Sequence, residues 1–179
     1  MNFTLRKAKP EDIPAIEQLI ADSSRGLSNE DYSKEQIEGA LQGAWGVDTE
    51  LINDSTYFVA EIDSVIVACG GWGRRQTLFG GDKQAGRQSE LLDPAKDSAR
   101  IRAFFVHPDW ARKGIAKMIL QKCEEEARAF GFRSIELIAT LPGYRFYQKF
   151  GYTGNKRVEY RLDNDVCIEF IPMKKLLYG

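Results

Sequence analysis

Histidine and cysteine are scarce in this sequence, and long hydrophobic runs are absent. Of 179 residues, one is histidine and three are cysteine. Because the cysteines lack CxxC spacing, we predict neither a disulfide framework nor a metal site, and we expect Cys69, Cys123 and Cys167 to be small buried residues. No run reaches the ~18 apolar residues of a membrane helix. The N-terminus also lacks the apolar core of a signal peptide, so we expect no membrane partner and a cytoplasmic location.

An excess of one charge and the common nucleotide-binding motifs are also missing. The 25 basic and 26 acidic residues nearly balance, which disfavours a nucleic-acid partner. There is no GxGxxG motif, and the nearest approach to a Walker loop continues with Arg87 and Gln88 instead of Lys and Ser/Thr. Kinases and P-loop NTPases are therefore disfavoured. Acidic neighbours offset the charge of the basic residues Arg74, Arg75, Lys83 and Arg87, which disfavours nucleic-acid binding there.

The length suits one domain, and the hydrophobic pattern predicts its elements. We predict a single domain over residues 1–179, with a polar insertion or lid at about residues 74–99. The predicted order is a strand, two helices, three strands, a helix, a strand, a helix and two strands. This order indicates an α/β fold with a mixed, mostly antiparallel central sheet and helices on both faces.

Local signals mark several of these elements. Ser33 followed by Gln36 is a capping box for the second helix. Asp63 and Ser64 separate two β-rich runs, which predicts an antiparallel hairpin. Pro172 falls in the last predicted strand, and we expect that strand at an edge of the sheet, where a missing N–H is tolerated.

The stretch VHPDWARKGIAKMIL, residues 106–120, joins an apolar strand to an amphipathic helix through a cationic turn. Gly114 allows the backbone to approach a ligand closely, and a helix N-terminus attracts anions through its unpaired N–H groups. Arg112, Lys113 and Lys117 add positive charge at the same point. From the residues alone, a pyrophosphate site and an ordinary solvated loop both remain open.

Two longer motifs resemble those of a known family. The run IRAFFVHPDWARKGIAKMILQKCEEEARAFGF, residues 101–132, looks like the acetyl-CoA-binding core of the GCN5-related N-acetyltransferase (GNAT) superfamily. The run RFYQKFGY, residues 145–152, resembles the superfamily's C-terminal signature. The resemblance implies the acyl-CoA N-acyltransferase fold. It also implies direct transfer of an acetyl group from acetyl-CoA, without a metal, to a primary amine of a small molecule or a peptide. Family members are often dimers, so a homodimer is a further expectation.

The resemblance also implies which residues hold acetyl-CoA. Strand residues run beside the pantetheine arm, and backbone groups of the loop surround the phosphates. The implied set is Phe104, Phe105, Val106, Arg112, Lys113, Gly114, Ile115, Ala116, Lys117 and Thr140. Ala111 departs from the family's Gln or Arg at the first loop position, and Thr140 and Gly143 stand where many members have Asn and Ala. These departures concern side-chain contacts more than backbone contacts.

Acetyl transfer to an amine needs a neutral nucleophile, stabilisation of an oxyanion and a proton for the departing thiolate. By resemblance Tyr147 is the general acid, although its helical spacing alone suggests core packing. Glu136 is a candidate base, with a surface charge as the alternative. His107 is a second candidate for proton transfer, with a structural or solvated role as the alternative, and a chain of waters is a third source of base. The oxyanion donor is expected from a backbone N–H of the strand containing residues 104–106.

Acceptor recognition is the least specific part of the sequence. Arg102 is a candidate for binding a substrate carboxylate, with a surface salt bridge as the alternative. Trp72 is a candidate wall of an acceptor channel. A catalytically silent acyl-CoA-binding regulatory module is the rival function, because the first loop position is altered and the base is not identified.

Overall fold

The computed structural model describes residues 2–178, so Met1 and Gly179, the outermost residues of the predicted domain, lie outside the described residues. The strands are β1 (Thr4–Lys7), β2 (Tyr57–Ile62), β3 (Val65–Gly73), β4 (Ala99–Val106), β5 (Ser134–Ala139), β6 (Val158–Arg161) and β7 (Cys167–Leu176). They form one seven-stranded sheet in the order β1-β2-β3-β4-β5-β7-β6. Among the described strands, β4 and β5 are parallel and the other neighbours are antiparallel. The predicted mixed, mostly antiparallel sheet is therefore confirmed.

Helices cover both faces of the sheet and divide its core in two. The helices are α1 (Ile13–Leu27), α2 (Lys34–Ala40), α3 (Thr49–Asn53), α4 (Ile115–Ala129) and α5 (Tyr144–Lys149). The first core lies under α4 and α5, and the second lies under α1, α2 and α3. Each long helix buries one apolar stripe, as the spacing of its aliphatic residues predicts. Among residues 2–178, none of the helices combines the length and the apolar character needed to cross a membrane.

The local signals for α2 and for the first hairpin are confirmed. The Gln36 N–H donates to Ser33 Oγ at 3.1 Å, and the Ser33 N–H donates to Gln36 Oε1 at 2.8 Å. Asp63 and Ser64 have φ values of +49° and +66° between β2 and β3. Positive φ at both central residues is typical of the tight turns that match strand twist.

Two expectations about local structure are wrong, and the five-residue helix α3 was not predicted. Strand β7 lies between β5 and β6, so Pro172 is not on an edge strand. Strand β6 pairs only with residues 167–170, so Pro172 lies beyond the doubly paired stretch. Cys167 is exposed, because it begins β7 beside the short edge strand, whereas Cys69 and Cys123 are buried as expected.

Strands β4 and β5 separate after a short contact, and β4 carries a bulge. They pair only through Ala99 with Ile135 and Arg100 with Glu136. Further along β4, the register with β3 shifts between Cys69 and Gly71, and Ala103 has a φ of +52°. A bulge puts an extra residue into one strand and re-aims the side chains around it. The parting of the strands and the bulge together open the sheet at its centre.

The polar segment 74–98 is folded back on itself between β3 and β4. An isolated bridge joins Arg75 to Leu91, and the Thr77 N–H donates to the Gln88 carbonyl at 2.9 Å. Arg87 donates to the buried carboxylate of Asp48 at 2.9 Å, which fastens the segment to the core. Its function as a lid stays a prediction.

Candidate functional site

The opening between β4 and β5 forms a cavity of about 530 Å³. Its walls come from both strands, the C-terminal end of α1, the loop before α4, and α5. The lining includes Ser24, Asn29, Glu30, Trp45, Ala103, Phe104, Phe105, Val106, Arg112, Ala116, Leu137, Thr140, Phe146 and Tyr147. The strand parting thus brings the loop and the aromatic helix, which are distant in sequence, to one space.

One end of the cavity meets the N-terminus of α4. Gly114 is the N-cap of this helix with a φ of +85°, a left-handed conformation that favours glycine. The Met118 N–H donates to the Gly114 carbonyl at 3.3 Å and so begins the helical ladder. The N–H groups of residues 115–117 precede that first bond and remain available to an anion. Arg112 lines the cavity beside them, and Lys113 lies 4.7 Å from the centre of the Trp110 ring.

The predicted strand contacts line the same cavity. Phe104, Phe105 and Val106 form its β4 wall, and Thr140 lies at the end of β5. The Thr140 hydroxyl accepts a hydrogen bond from the Gly143 N–H at 3.1 Å, so it shapes the turn that leads into α5. Six of the ten predicted coenzyme residues line the cavity: Phe104, Phe105, Val106, Arg112, Ala116 and Thr140. The other four, Lys113, Gly114, Ile115 and Lys117, are not among its lining residues.

Tyr147 reaches this cavity from α5. It is 9% exposed, and its ring packs against Phe104, Phe146 and Tyr152 with centroid separations of 6.4, 5.1 and 5.7 Å. Within residues 2–178 its hydroxyl makes no hydrogen bond to another group. Burial raises the pKa of the Tyr147 phenol, and the nearby Cys123 adds to the shift. The side chain is therefore a neutral O–H donor held at the cavity wall.

The two candidate bases lie elsewhere. Glu136 does not line the cavity, because it pairs with Arg100 at 2.5 Å on the short parallel stretch where β4 and β5 still touch. His107 caps the 3-10 turn Pro108–Trp110, and its Nδ1 accepts a hydrogen bond from the Asp109 N–H at 3.1 Å. The structure thus gives both residues local structural contacts.

The two predicted acceptor residues are also placed outside the main cavity. Arg102 is 3% exposed and donates to Asp48 at 2.6 Å and to the Gly80 carbonyl at 2.6 Å. Trp72 is buried, and its indole N–H donates to Glu126 at 3.0 Å. These placements differ from the sequence-based expectation, since an Arg102 already paired with a buried carboxylate has no free charge for a substrate. We therefore propose no substrate contact for either residue.

Sequence reasoning missed the wall of the cavity formed by the end of α1, the loop after it and Trp45. Ser24, Asn29, Glu30 and Trp45 line this wall. Ser24 Oγ is buried and has no hydrogen-bond partner among the described residues. The polar run SNED after α1 was the available signal, but nothing in its spacing indicates that it turns toward β4. Among residues 2–178, no group of three or more His, Cys, Asp and Glu side chains is placed to hold a metal ion.

The sheet is thus open between β4 and β5, and the loop that leads into α4 lines this opening. The sequence model of the Acetyltransferase (GNAT) family matches residues 13–152, so the chain belongs to this family. The family transfers acetyl groups from acetyl-CoA. Among curated proteins, no sequence matches the chain significantly.

Solved structures share the fold along nearly the whole chain. A GCN5-related N-acetyltransferase from Rhodopseudomonas palustris matches with a TM-score of 0.73 and 19% identity, covering 98% of this chain and 96% of its own. The PaiA N-acetyltransferase from Thermoplasma acidophilum, solved with coenzyme A, matches with a TM-score of 0.66 and 18% identity, covering 98% and 99%. An N-acetyltransferase from Staphylococcus aureus Mu50 matches with a TM-score of 0.65 and 18% identity, covering 99% and 100%. The acyl-CoA N-acyltransferase fold is thereby confirmed.

Proposed function

We propose that this chain is an N-acetyltransferase that moves an acetyl group from acetyl-CoA to a primary amine by direct attack. The observation that carries the proposal is one shared cavity. The N-terminus of α4 and the phenol of Tyr147 open onto the same space between β4 and β5. A binding site for phosphates and a proton donor are thus combined in one cleft.

The residues at the α4 end fit a coenzyme with a pyrophosphate. N–H groups of residues 115–117 point out of the helix end, and a Cβ built at Gly114 would meet no atom within 4 Å, so space for a ligand exists there. The side chains of Arg112, Lys113 and Lys117 supply cations. Acetyl-CoA would bring the activated thioester, and the walls formed by residues 104–106 would hold the arm that carries it.

Tyr147 is the group that we assign to protonate the departing sulfur. Its raised pKa keeps the phenol neutral, and its unpaired hydroxyl is free to donate. Glu136 is occupied by Arg100, so we propose that ordered water carries the amine proton out of the cavity. We assign Glu30, a carboxylate that lines the cavity, to receive this proton.

The acceptor is proposed to enter beside Asn29, Glu30 and Trp45, which line the cavity. A small hollow of about 60 Å³ shares Ala103, Phe105 and Ile138 with the main cavity. Phe79 and Gly80 of the segment 74–98 also line this hollow. Its small volume favours a small amine over a long peptide, and the acidic Glu30 favours an acceptor that arrives as a cation.

A thermal melt with acetyl-CoA and an assay of coenzyme release with a panel of amines test this function. A ligand that binds only the native state at ~100 times its dissociation constant adds about 2.7 kcal/mol to the free energy of unfolding. For a chain of this size we expect the melting temperature to rise by about 5–10 °C. No rise at saturating acetyl-CoA would contradict the proposal. Binding without release for any amine would instead support the rival, a silent acyl-CoA-binding module.

A further inference from the structure

The bulge of β4 changes the direction of one backbone carbonyl, that of Ala103. Ala103 has a φ of +52°, and residues 103 and 104 together face Gly70 of β3. Arg102 contacts Asp48 and Ala103 packs into the second core, whereas Phe104 packs into the first. Two consecutive side chains therefore lie on the α1 face before the alternation resumes.

A buried tyrosine from a strand two positions away holds this carbonyl. The Tyr57 hydroxyl donates to the Ala103 carbonyl at 3.0 Å, although Tyr57 is in β2 and β3 runs between them. Tyr57 is 1% exposed. The Cys69 thiol lies 3.8 Å from the same oxygen, and thiols are weak donors. The tyrosine is therefore the principal donor to this carbonyl.

Two glycines of β3 make room for the arrangement. A Cβ at Gly71 would approach Tyr57 Cδ2 to 2.7 Å, so the ring passes where a side chain would otherwise stand. A Cβ at Gly70 would approach the Phe104 ring to 2.6 Å. The pair Gly70 and Gly71 thus admits Tyr57 on one face of the sheet and Phe104 on the other.

The direction of the carbonyl determines the direction of the next N–H. The described chain has no cis peptide bond, and in a trans peptide the C=O and the following N–H point in opposite directions. Tyr57 approaches the Ala103 oxygen from the second core. The Phe104 N–H is consequently directed away from that core, toward the side where the Phe104 ring meets Tyr147 at 6.4 Å. Both residues of this peptide line the cavity.

We infer that Tyr57 is a positioning residue for acetyl transfer: its hydroxyl, by holding the Ala103 carbonyl, aims the Phe104 N–H at the carbonyl oxygen of the bound acetyl thioester. This inference rests on the proposed function. The thioester oxygen gains negative charge as the amine attacks, and a pre-aimed N–H stabilises that charge most. Tyr57 acts from beneath the strand and touches no substrate.

The test compares the affinities of acetyl-CoA and free CoA in wild type, Tyr57→Phe and Thr56→Val. Free CoA lacks the acetyl oxygen, so its affinity is insensitive to the aim of the Phe104 N–H. In Tyr57→Phe we expect acetyl-CoA to bind about three- to ten-fold more weakly while CoA affinity stays the same, the range expected for one misaligned neutral hydrogen bond. Thr56→Val is the matched control. It removes a neighbouring buried hydroxyl that donates to the Leu51 carbonyl at 3.4 Å and does not reach β4.

The possible results distinguish failure of the inference about Tyr57 from failure of the proposed function. An affinity ratio that is unchanged in Tyr57→Phe, or that changes equally in Thr56→Val, overturns the inference and leaves the proposed function intact. Failure of the wild-type protein to bind either ligand overturns the proposed function and the inference with it. Isotope-edited infrared spectroscopy gives a second readout on the wild-type protein. The acetyl C=O stretch should shift to lower frequency on binding, and an unshifted band also overturns the inference.

Discussion

At the level of single residues, Tyr147 packs against other aromatic rings and also lines the open cavity. Tyr147 packs against three rings, yet its hydroxyl has no partner within residues 2–178. An unpaired hydroxyl on an otherwise buried ring is costly unless a ligand or water completes it. This arrangement is the reason to assign the phenol a chemical role beyond its contribution to the core.

We expect Tyr147→Phe to lower the rate of acetyl transfer about 100-fold or more, because general acid catalysis typically contributes that much. The affinity for acetyl-CoA should change little, since the ring and its packing are kept. Steady-state kinetics and a binding titration measure the two effects. Tyr144→Phe, on the same helix but outside the cavity lining, is the control and should keep the wild-type rate. Equal rates in all three proteins would exclude Tyr147 as the acid.

Among the secondary-structure elements, α4 depends most on one backbone conformation. Gly114 has a left-handed backbone conformation at the start of the helix. A Cβ at this position would meet no atom within 4 Å. A substitution there is therefore resisted by the backbone alone. The orientation of the first N–H groups of α4 follows from this one residue.

Replacing Gly114 by valine should weaken CoA binding about ten-fold or more, because a β-branched residue resists positive φ and the loop must move. Isothermal titration measures the change. Gly86→Val is the matched control, since Gly86 has a φ of +73° and is equally free of neighbours but lies in the segment 74–98. Both variants should lose similar stability. Equal CoA affinity in the two variants would argue against phosphate binding at α4.

The segment 74–98 depends on a buried ion cluster. Asp48 is fully buried and accepts hydrogen bonds from Arg102 and Arg87 at 2.6 and 2.9 Å. Arg102 also donates to the carbonyls of Thr77 and Gly80. The guanidinium therefore joins the bulged strand β4 to the segment 74–98.

Arg102→Met should lower the free energy of unfolding by about 3–5 kcal/mol, because it leaves part of a buried charge cluster without its partner. Urea denaturation measures the loss, and trypsin cleavage after Lys83 should accelerate. Arg161→Met removes an exposed pair with Asp165 and should cost less than about 0.5 kcal/mol. If the two variants were equally stable, the cluster would not anchor the segment.

At the level of the folded chain, buried thiols and phenols make stability sensitive to alkaline pH. Burial raises the pKa of Cys69 from 9.0 to about 12. The unfolded thiol ionises first, so the stabilisation is fully present below pH ~9 and is lost as the pH rises toward 12. Tyr57 and Tyr147 have raised pKa values for the same reason and act in the same direction.

We expect the free energy of unfolding to fall between pH 9 and 11, with Cys69 contributing about 1.4 kcal/mol per pH unit once its unfolded form is fully ionised. Urea denaturation across this range measures the slope. Cys69→Ala should be less stable at pH 7 but should show a shallower slope, since one titrating group is gone. Parallel slopes for the two proteins would mean that this thiol does not titrate on unfolding.

Short-range patterns were sufficient for most elements and for the coenzyme end of the site. The capping box at Ser33, the turn at Asp63 and the glycine before α4 act through neighbouring residues, so their conformations can be predicted locally. Phe104 to Val106 and Tyr147 were predicted as site residues because their motifs resemble those of the GNAT superfamily. In these places, the order of residues along the chain already specifies the geometry.

The wall where we propose that the acceptor enters depended on the packing of the whole chain. Glu30 and Trp45 line one cavity with β4 only in the folded chain, and Arg102 is paired with Asp48, which is 54 residues away in sequence. The separation of β4 from β5, the bulge at Ala103 and its support by Tyr57 arise from contacts among four strands. Amino-acid order thus specifies the local elements and the glycine-containing loop before α4, which we propose to hold phosphates. Burial and ion pairing, which exist only once distant segments meet, decide which charges remain free to face a substrate.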